Sequence, residues 1–156
     1  MNADPALRFV VYRATYAGTD LAHDLAAIRD ASHRNNPGAG ITGALVYDRG
    51  QFIQALEGPA ASVEALLGRV RGDPRAGAMD VLIDTSTPMR SLQEWSMRLL
   101  RVDALPAVEA TTLGAFRDAY LRNFRPDAAG FIELLRALVA VDDGNQGSHA
   151  DAAQAR

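Results

Sequence analysis

Apolar and polar positions change period several times along the chain, and each change marks an element. Residues 7–15 (LRFVVYRAT) form an apolar, β-branched and aromatic run that predicts a buried strand. Thr19 and Asp20 are N-cap candidates. Beyond them Leu21, Leu25 and Ile28 recur at i, i+4 and i+7, one face of a helix reaching about Arg34. The run Asn35-Asn36-Pro37-Gly38-Ala39-Gly40 is expected to break it. Residues 41–47 (ITGALVY) and 51–57 (QFIQALE) predict two short strands. The three residues Asp48-Arg49-Gly50 join them as a hairpin, with Gly50 suited to positive φ. Gly58-Pro59 opens a second helix with the stripe Val63, Leu66, Leu67 and Val70, and Gly72-Asp73-Pro74 ends it. Residues 79–84 (MDVLID) and 95–100 (WSMRLL) predict a fourth and a fifth strand, the last with Trp95, Met97 and Leu99 on one face.

The order β-α-β-β-α-β-β, joined by short right-handed crossovers, predicts an α+β fold over residues 1–100. It is a ferredoxin-like sandwich of one sheet with two helices on one face. Residues 101–141 read as a helical extension. Leu113, Phe116, Tyr120 and Phe124 predict one helix; Phe131, Leu134, Leu135, Leu138 and Val141 predict another, with Pro126-Asp127 as its start signal. This pair is expected to pack on the free sheet face or on a partner. The polar, alanine-rich segment 142–156 is expected to be a disordered tail.

Composition then removes most catalytic chemistry. A chain of 156 residues fits one domain with a short appendage. With no cysteine there is no disulfide, thiolate nucleophile or Cys-ligated metal. The histidines His23, His33 and His149 match no zinc spacing, so no metal site is expected. Every basic residue is arginine, which excludes P-loop and Schiff-base lysines. A net charge of −3 and a pI near 5.5 speak against a nucleic-acid partner. No apolar run nears the roughly 20 residues that span a bilayer, and Met1–Pro5 lacks a basic-then-apolar signal, so no membrane partner and a cytoplasmic location are expected.

Five clusters remain as candidates, each with an ordinary structural explanation beside it. Asn35-Asn36 offers donors and acceptors for an imide edge, or serves as a helix-ending turn. Gln54 shares a strand face with Phe52 and Leu56, and needs a partner if that face is covered by helices; otherwise it meets solvent. Tyr12 is a core phenol. Trp95-Ser96-Met97 is core filling. Arg69, Arg71, Asp73 and Arg75 suit a phosphate, or form a solvated charged face.

Taken in order, these clusters have a recognisable arrangement. VVYRAT (10–15), SHRNNPGAGITGALVY (32–47), GQFIQALEGP (50–59), RVRGDPR (69–75) and EWSM (94–97) resemble the BLUF family of flavin-using blue-light sensors, over about residues 7–100. The resemblance implies FAD as cofactor. Tyr12 is similar to the family's photoactive tyrosine and Gln54 to the glutamine between it and the flavin. Asn36 resembles the asparagine on the ring's imide edge, and Asn35 a neighbouring contact. Ile28 resembles the aliphatic against the ring, while Arg69, Val70, Asp73 and Arg75 match positions on its second face and along the ribityl-phosphate chain. Trp95 and Met97 resemble the switch pair on the fifth strand. Ala14, Ala55, Val70, Ala76 and Leu92 depart from the commoner residues, but the relay of Tyr12, Gln54 and Asn36 is complete. The resemblance further implies a short stand-alone photoreceptor, not an enzyme. It would signal to a separate protein and form homo-oligomers. The alternatives are a flavin-free interaction module on the same fold, or an acylphosphatase-type hydrolase. The latter is disfavoured because the loop after the first strand, ATYAGTD, has one glycine.

Overall fold

Strand β1 spans Leu7–Tyr16, and alternation along it sends Val10, Tyr12 and Ala14 to one side and Phe9 and Val11 to the other. All five are buried, which is why the run is continuously apolar. The computed structural model describes residues 6–105, 114–118 and 127–154. Helix α1, Leu21–Ala39, starts at the expected Asp20 cap, whose carboxylate accepts the His23 N–H at 3.2 Å. It runs further than expected. Pro37 lies in the last turn, where its missing N–H costs only one intrahelical bond, and the helix ends at left-handed Gly40 with φ 70°.

Strands β2 (Thr42–Asp48) and β3 (Gln51–Pro59) follow, then helix α2 (Ala60–Arg71), β4 (Ala76–Thr87) and β5 (Arg98–Arg101). The β2–β3 turn has two residues rather than three. Arg49 (φ 46°) and Gly50 (φ 86°) both take positive φ, the twist-matched geometry of a type I′ hairpin, so Asp48 stays in the ladder opposite Gln51. Pro59 ends β3 and caps α2 instead of sitting inside it.

The sheet order is β4-β1-β3-β2-β5, with β1 antiparallel to β3 and β4, and β2 antiparallel to β3. Strands β1 and β2 therefore run the same way around α1. This is the expected ferredoxin-like α+β arrangement. The core on the helix side joins Val10, Tyr12, Leu45, Phe52, Leu56 and Met97 of the sheet side to Leu25, Val63 and Leu67 of the helices. An added Cβ on Gly43 would lie 2.1 Å from the Ala55 carbonyl oxygen, so only glycine fits this crossing of β2 and β3.

The β4–β5 connection is fixed from the other side of the sheet. Glu57 is fully buried, and its carboxylate accepts the backbone N–H groups of Ser91 (2.5 Å) and Leu92 (2.9 Å). Arg90 donates to the Gly40 carbonyl at 2.6 Å and to Thr42 Oγ1 at 3.0 Å.

Contacts divide the chain into two units, Met1–Leu99 and Leu100–Arg156. In the second, one turn of 3-10 helix covers Val102–Ala104, residues 114–118 are helical, and helix α3 spans Ala128–Gln154. Phe116, Phe131, Leu135 and Leu138 are fully buried, and Asp127 accepts the Gly130 N–H at 2.8 Å as the start signal predicts. Leu113, Tyr120 and Phe124, expected on the preceding helix, lie outside the described residues. Residues 142–154, expected as a disordered tail, continue α3, and their alanines are the strongest helix formers available.

Two substitutions test this framework. Gly43→Ala overpacks the β2–β3 crossing and should cost about 1–3 kcal/mol, read as a lower urea midpoint. Glu57→Ala strands the two N–H groups of the β4–β5 connection at roughly 1–3 kcal/mol each. Glu57→Gln, which keeps an acceptor, should cost less in the same measurement.

Candidate functional site

A cavity of about 270 Å³ opens between α1 and α2 above the sheet, near the lower end of the roughly 300–1,000 Å³ typical of small-molecule sites. Strand β1 contributes Tyr12 and β3 contributes Phe52 and Gln54, all on the helix-facing side. Helix α1 contributes Ile28, Ala31, Ser32, Asn35 and Asn36, which fall on one face at helical spacing. Arg69 and Val70 come from the last turn of α2, and Asp73, Arg75 and Ala76 from the connection to β4. The cavity lining includes every residue of the expected cofactor set: Tyr12, Ile28, Asn35, Asn36, Gln54, Arg69, Val70, Asp73 and Arg75. Ala31, Ser32, Leu45, Phe52, Leu66 and Ala76 also line it and were not singled out from sequence. Ser32 carried a usable signal, since it lies one helical turn before Asn35 and Asn36.

Tyr12 and Gln54 are direct partners across the β1–β3 ladder. The buried Tyr12 hydroxyl donates a short hydrogen bond to Gln54 Oε1. Burial, and secondarily the Asp73 charge, push the phenol well above its ordinary pKa, so it keeps its proton at any physiological pH. The Gln54 amide nitrogen donates to Met97 Sδ at 3.4 Å, and a thioether is a weak acceptor. Asn36 is 3 % exposed, and its Nδ2 donates to the Ser96 carbonyl at 2.8 Å. Among the described residues its Oδ1 has no partner. Asp73 accepts the Arg75 backbone N–H (2.9 Å) and guanidinium (2.6 Å), and the Arg75 hydrogen bond is the main reason its carboxyl titrates below the usual range. Arg69 is exposed at the cavity edge with no partner among the described residues.

Trp95 and Met97 depart from the sequence reading. Both precede β5 rather than lying in it, where backbone carbonyls meet side chains of α1: the Ser96 carbonyl accepts from Asn36, and the Met97 carbonyl lies 3.4 Å from His33 Nε2. The Trp95 carbonyl accepts the Gly43 N–H of β2 at 2.9 Å. Met97 is buried against Gln54. Trp95 is half-buried and lines a neighbouring groove with Arg29, His33, Glu94 and Arg98.

The unused polar capacity defines what fits. A buried amide with a poorly used N–H, a buried carbonyl oxygen without a donor and an unpaired guanidinium all border one cavity. They match a flavin: ring acceptors and an imide N–H for Gln54 and Asn36, and phosphate for Arg69. Among the described residues no group of three or more His, Asp or Glu side chains could hold a metal ion.

Comparisons with known proteins agree with this chemistry. The chain is 45% identical over 93 residues, 60% of its length, to photoactivated adenylate cyclase subunit beta-like protein FB of Euglena gracilis. It spans about a tenth of the length of that relative. Its structure matches the dark-state structure of BlrB, a BLUF protein, with a TM-score of 0.72 and 26% identity, over 85% of this chain and 97% of that one. It also matches a manganese/cy-diGMP complex of Klebsiella pneumoniae BlrP1, with a TM-score of 0.61 and 29% identity, over 88% of this chain and 33% of that one. The profile of BLUF, sensors of blue-light using FAD, matches residues 7–98. The chain belongs to the BLUF family of photoreceptor domains, which sense blue light with FAD.

Proposed function

We propose that this chain senses blue light through Tyr12 and Gln54 and hands the signal to a separate protein, without catalysing a reaction of its own. The observation that carries this reading is the buried run of contacts from Tyr12 and Gln54, which line the cavity, to Met97 beyond it. Bound FAD supplies the blue-light absorption and, once excited, an electron-accepting ring. Tyr12 is the buried phenol on the cavity wall suited to give up an electron, and Gln54 Oε1 is the acceptor for its proton. Once that proton moves, the hydrogen bond that orients the amide is gone. With the proton away, the amide exchanges its donor and acceptor ends, by rotation or by tautomerisation, and releases Met97 Sδ, and return of the electron and a proton to Tyr12 leaves every group at its original charge.

The remaining lining residues hold the cofactor. Asn36 Oδ1 and Asn35 take the imide edge, Ile28 and Val70 cover the ring faces, and Arg69, with Arg75 anchored by Asp73, takes the phosphates. Output starts at Met97 and Trp95, which border the groove beside α1. The unit from Leu100 onward, with its buried Phe116, Phe131, Leu135 and Leu138, is the transmitter to a partner or to a second copy of the chain in the cytoplasm.

Absorption spectra of FAD-loaded protein before and after blue light test this reading. A small red shift that reverses in the dark is expected. Tyr12→Phe and Gln54→Leu should retain flavin and lose the shift. An undiminished shift in either variant overturns the relay, and colourless protein that cannot be loaded with FAD points to a flavin-free interaction module.

A further inference from the structure

A second phenol stands one side chain behind the cavity wall. Tyr16, at the end of β1, packs edge-on against Phe52 with ring centroids 5.4 Å apart, and Phe52 lines the cavity. Tyr16 is also the β-ladder partner of Ala76, another lining residue. Its hydroxyl donates to Asp24 Oδ2 at 2.5 Å, from the first turn of α1. The backbone is shaped to admit this pair. A Cβ on Gly18 would lie 2.3 Å from Asp24 Oδ2 and 2.4 Å from the Tyr16 hydroxyl, so a side chain there would displace both groups from their present positions. The Ala17 N–H, next to Tyr16, donates to the carbonyl of the cavity-lining Arg75 at 2.8 Å, which holds this end of β1 beside the cavity's Arg75 edge.

We propose that Tyr16 and Asp24 form a second photo-oxidisable phenol with its own proton acceptor, competing with Tyr12 for the excited flavin. The inference rests on the flavin-sensor reading above. One electron leaves Tyr16 for the excited flavin, which is reduced by one electron. The phenolic proton moves to Asp24 Oδ2, turning the carboxylate into a carboxylic acid. Return of the electron and the proton restores every group. A phenol that releases its proton as it loses its electron avoids the high-energy phenol cation, which is why the carboxylate partner matters. The route is unproductive for signalling. The proton never reaches Gln54, so the amide keeps its orientation and light absorbed this way is lost. Tyr47 joins the same aromatic cluster, with centroids 5.7 Å from Phe52, but the carboxylate is held by Tyr16.

The experiment compares flavin excited-state lifetimes in FAD-loaded Tyr12→Phe, Tyr12→Phe/Tyr16→Phe and Tyr12→Phe/Gly18→Ala proteins. Both double variants should show longer lifetimes than Tyr12→Phe, the first by removing the phenol oxygen and the second by displacing the phenol and its carboxylate partner. In an otherwise native chain, Tyr16→Phe should leave the size of the red shift unchanged and raise its quantum yield. A flavin-free readout accompanies these. Burial first, then the hydrogen bond to Asp24, pushes the Tyr16 phenol up to about 12, so ultraviolet titration of Asp24→Asn should show one phenol moving down toward 10.0. Equal lifetimes in Tyr12→Phe and Tyr12→Phe/Tyr16→Phe overturn the inference, and an unmoved titration overturns the pairing. A normal red shift with equal lifetimes rejects this inference alone. Absence of the red shift with unequal lifetimes rejects the Tyr12–Gln54 relay and leaves Tyr16 as a donor. A chain that takes up no flavin overturns both.

Discussion

The site depends on a primary amide buried on the core face of a central strand. Gln54 lies on β3, between β1 and β2, with Tyr12 opposite on one side and Leu45 on the other. An amide in that position costs roughly 1–3 kcal/mol for each polar group left unsatisfied. The protein meets the cost only in part. Tyr12 fills the acceptor end, while the donor end has a thioether. The remaining capacity faces the cavity, which the spacing of α1 and α2 keeps open. The same constraint explains the Tyr12 phenol, whose burial keeps it protonated and able to donate.

Strand β3 carries a contrasting group three residues on. Glu57, on the opposite sheet face, is just as buried, but its two oxygens accept two backbone N–H groups and the Thr42 hydroxyl lies within 3.3 Å. A saturated carboxylate has no reason to reorient, and it works as an anchor. An amide with a weak partner has alternatives of similar energy, and it suits a switch. One strand thus holds the β4–β5 connection rigidly at Ser91 and Leu92 and loosely at Met97, five residues later.

Much of this was legible in the sequence because the signals were local. Alternation in QFIQALE placed Gln54 with Phe52 and Leu56, and the three share the helix-facing core. Asp20 and Asp127 announced helix starts by side-chain chemistry alone. The cavity residues were found through the ordered motifs rather than singly, since each had an equally good structural explanation in isolation. The misses were of three kinds. Helix α1 outlasts Pro37 because a proline in the last turn removes a single bond, which a rule about breakers does not weigh. The two-residue turn needed Arg49 at positive φ, which its side chain does not advertise. Trp95 and Met97 alternate like a strand, yet the Ser96 carbonyl between them is bonded by Asn36, 60 positions away, and the Met97 sulfur by Gln54, 43 positions away, and periodicity is blind to such partners. Tyr16 and Asp24 were likewise invisible as a pair until Gly18 was seen to make room for them.

The irregular segment before β5 is where these features converge. A regular strand there would share its hydrogen bonds along a ladder, and moving one residue would strain its neighbours. In this chain the Ser96 carbonyl, the Met97 sulfur and the Trp95 carbonyl each bond to a different element, namely α1, β3 and β2. Such bonds can be lost one at a time. The Gln54–Met97 bond, to a thioether, is the weakest of the three, and losing it would leave the Asn36 and Gly43 bonds, the His33 contact to the Met97 carbonyl and the Glu57 anchor in place. In the relay proposed above, a change at the buried amide would therefore act on the Met97 side chain and the groove it shares with Trp95 while the sheet behind them keeps its register.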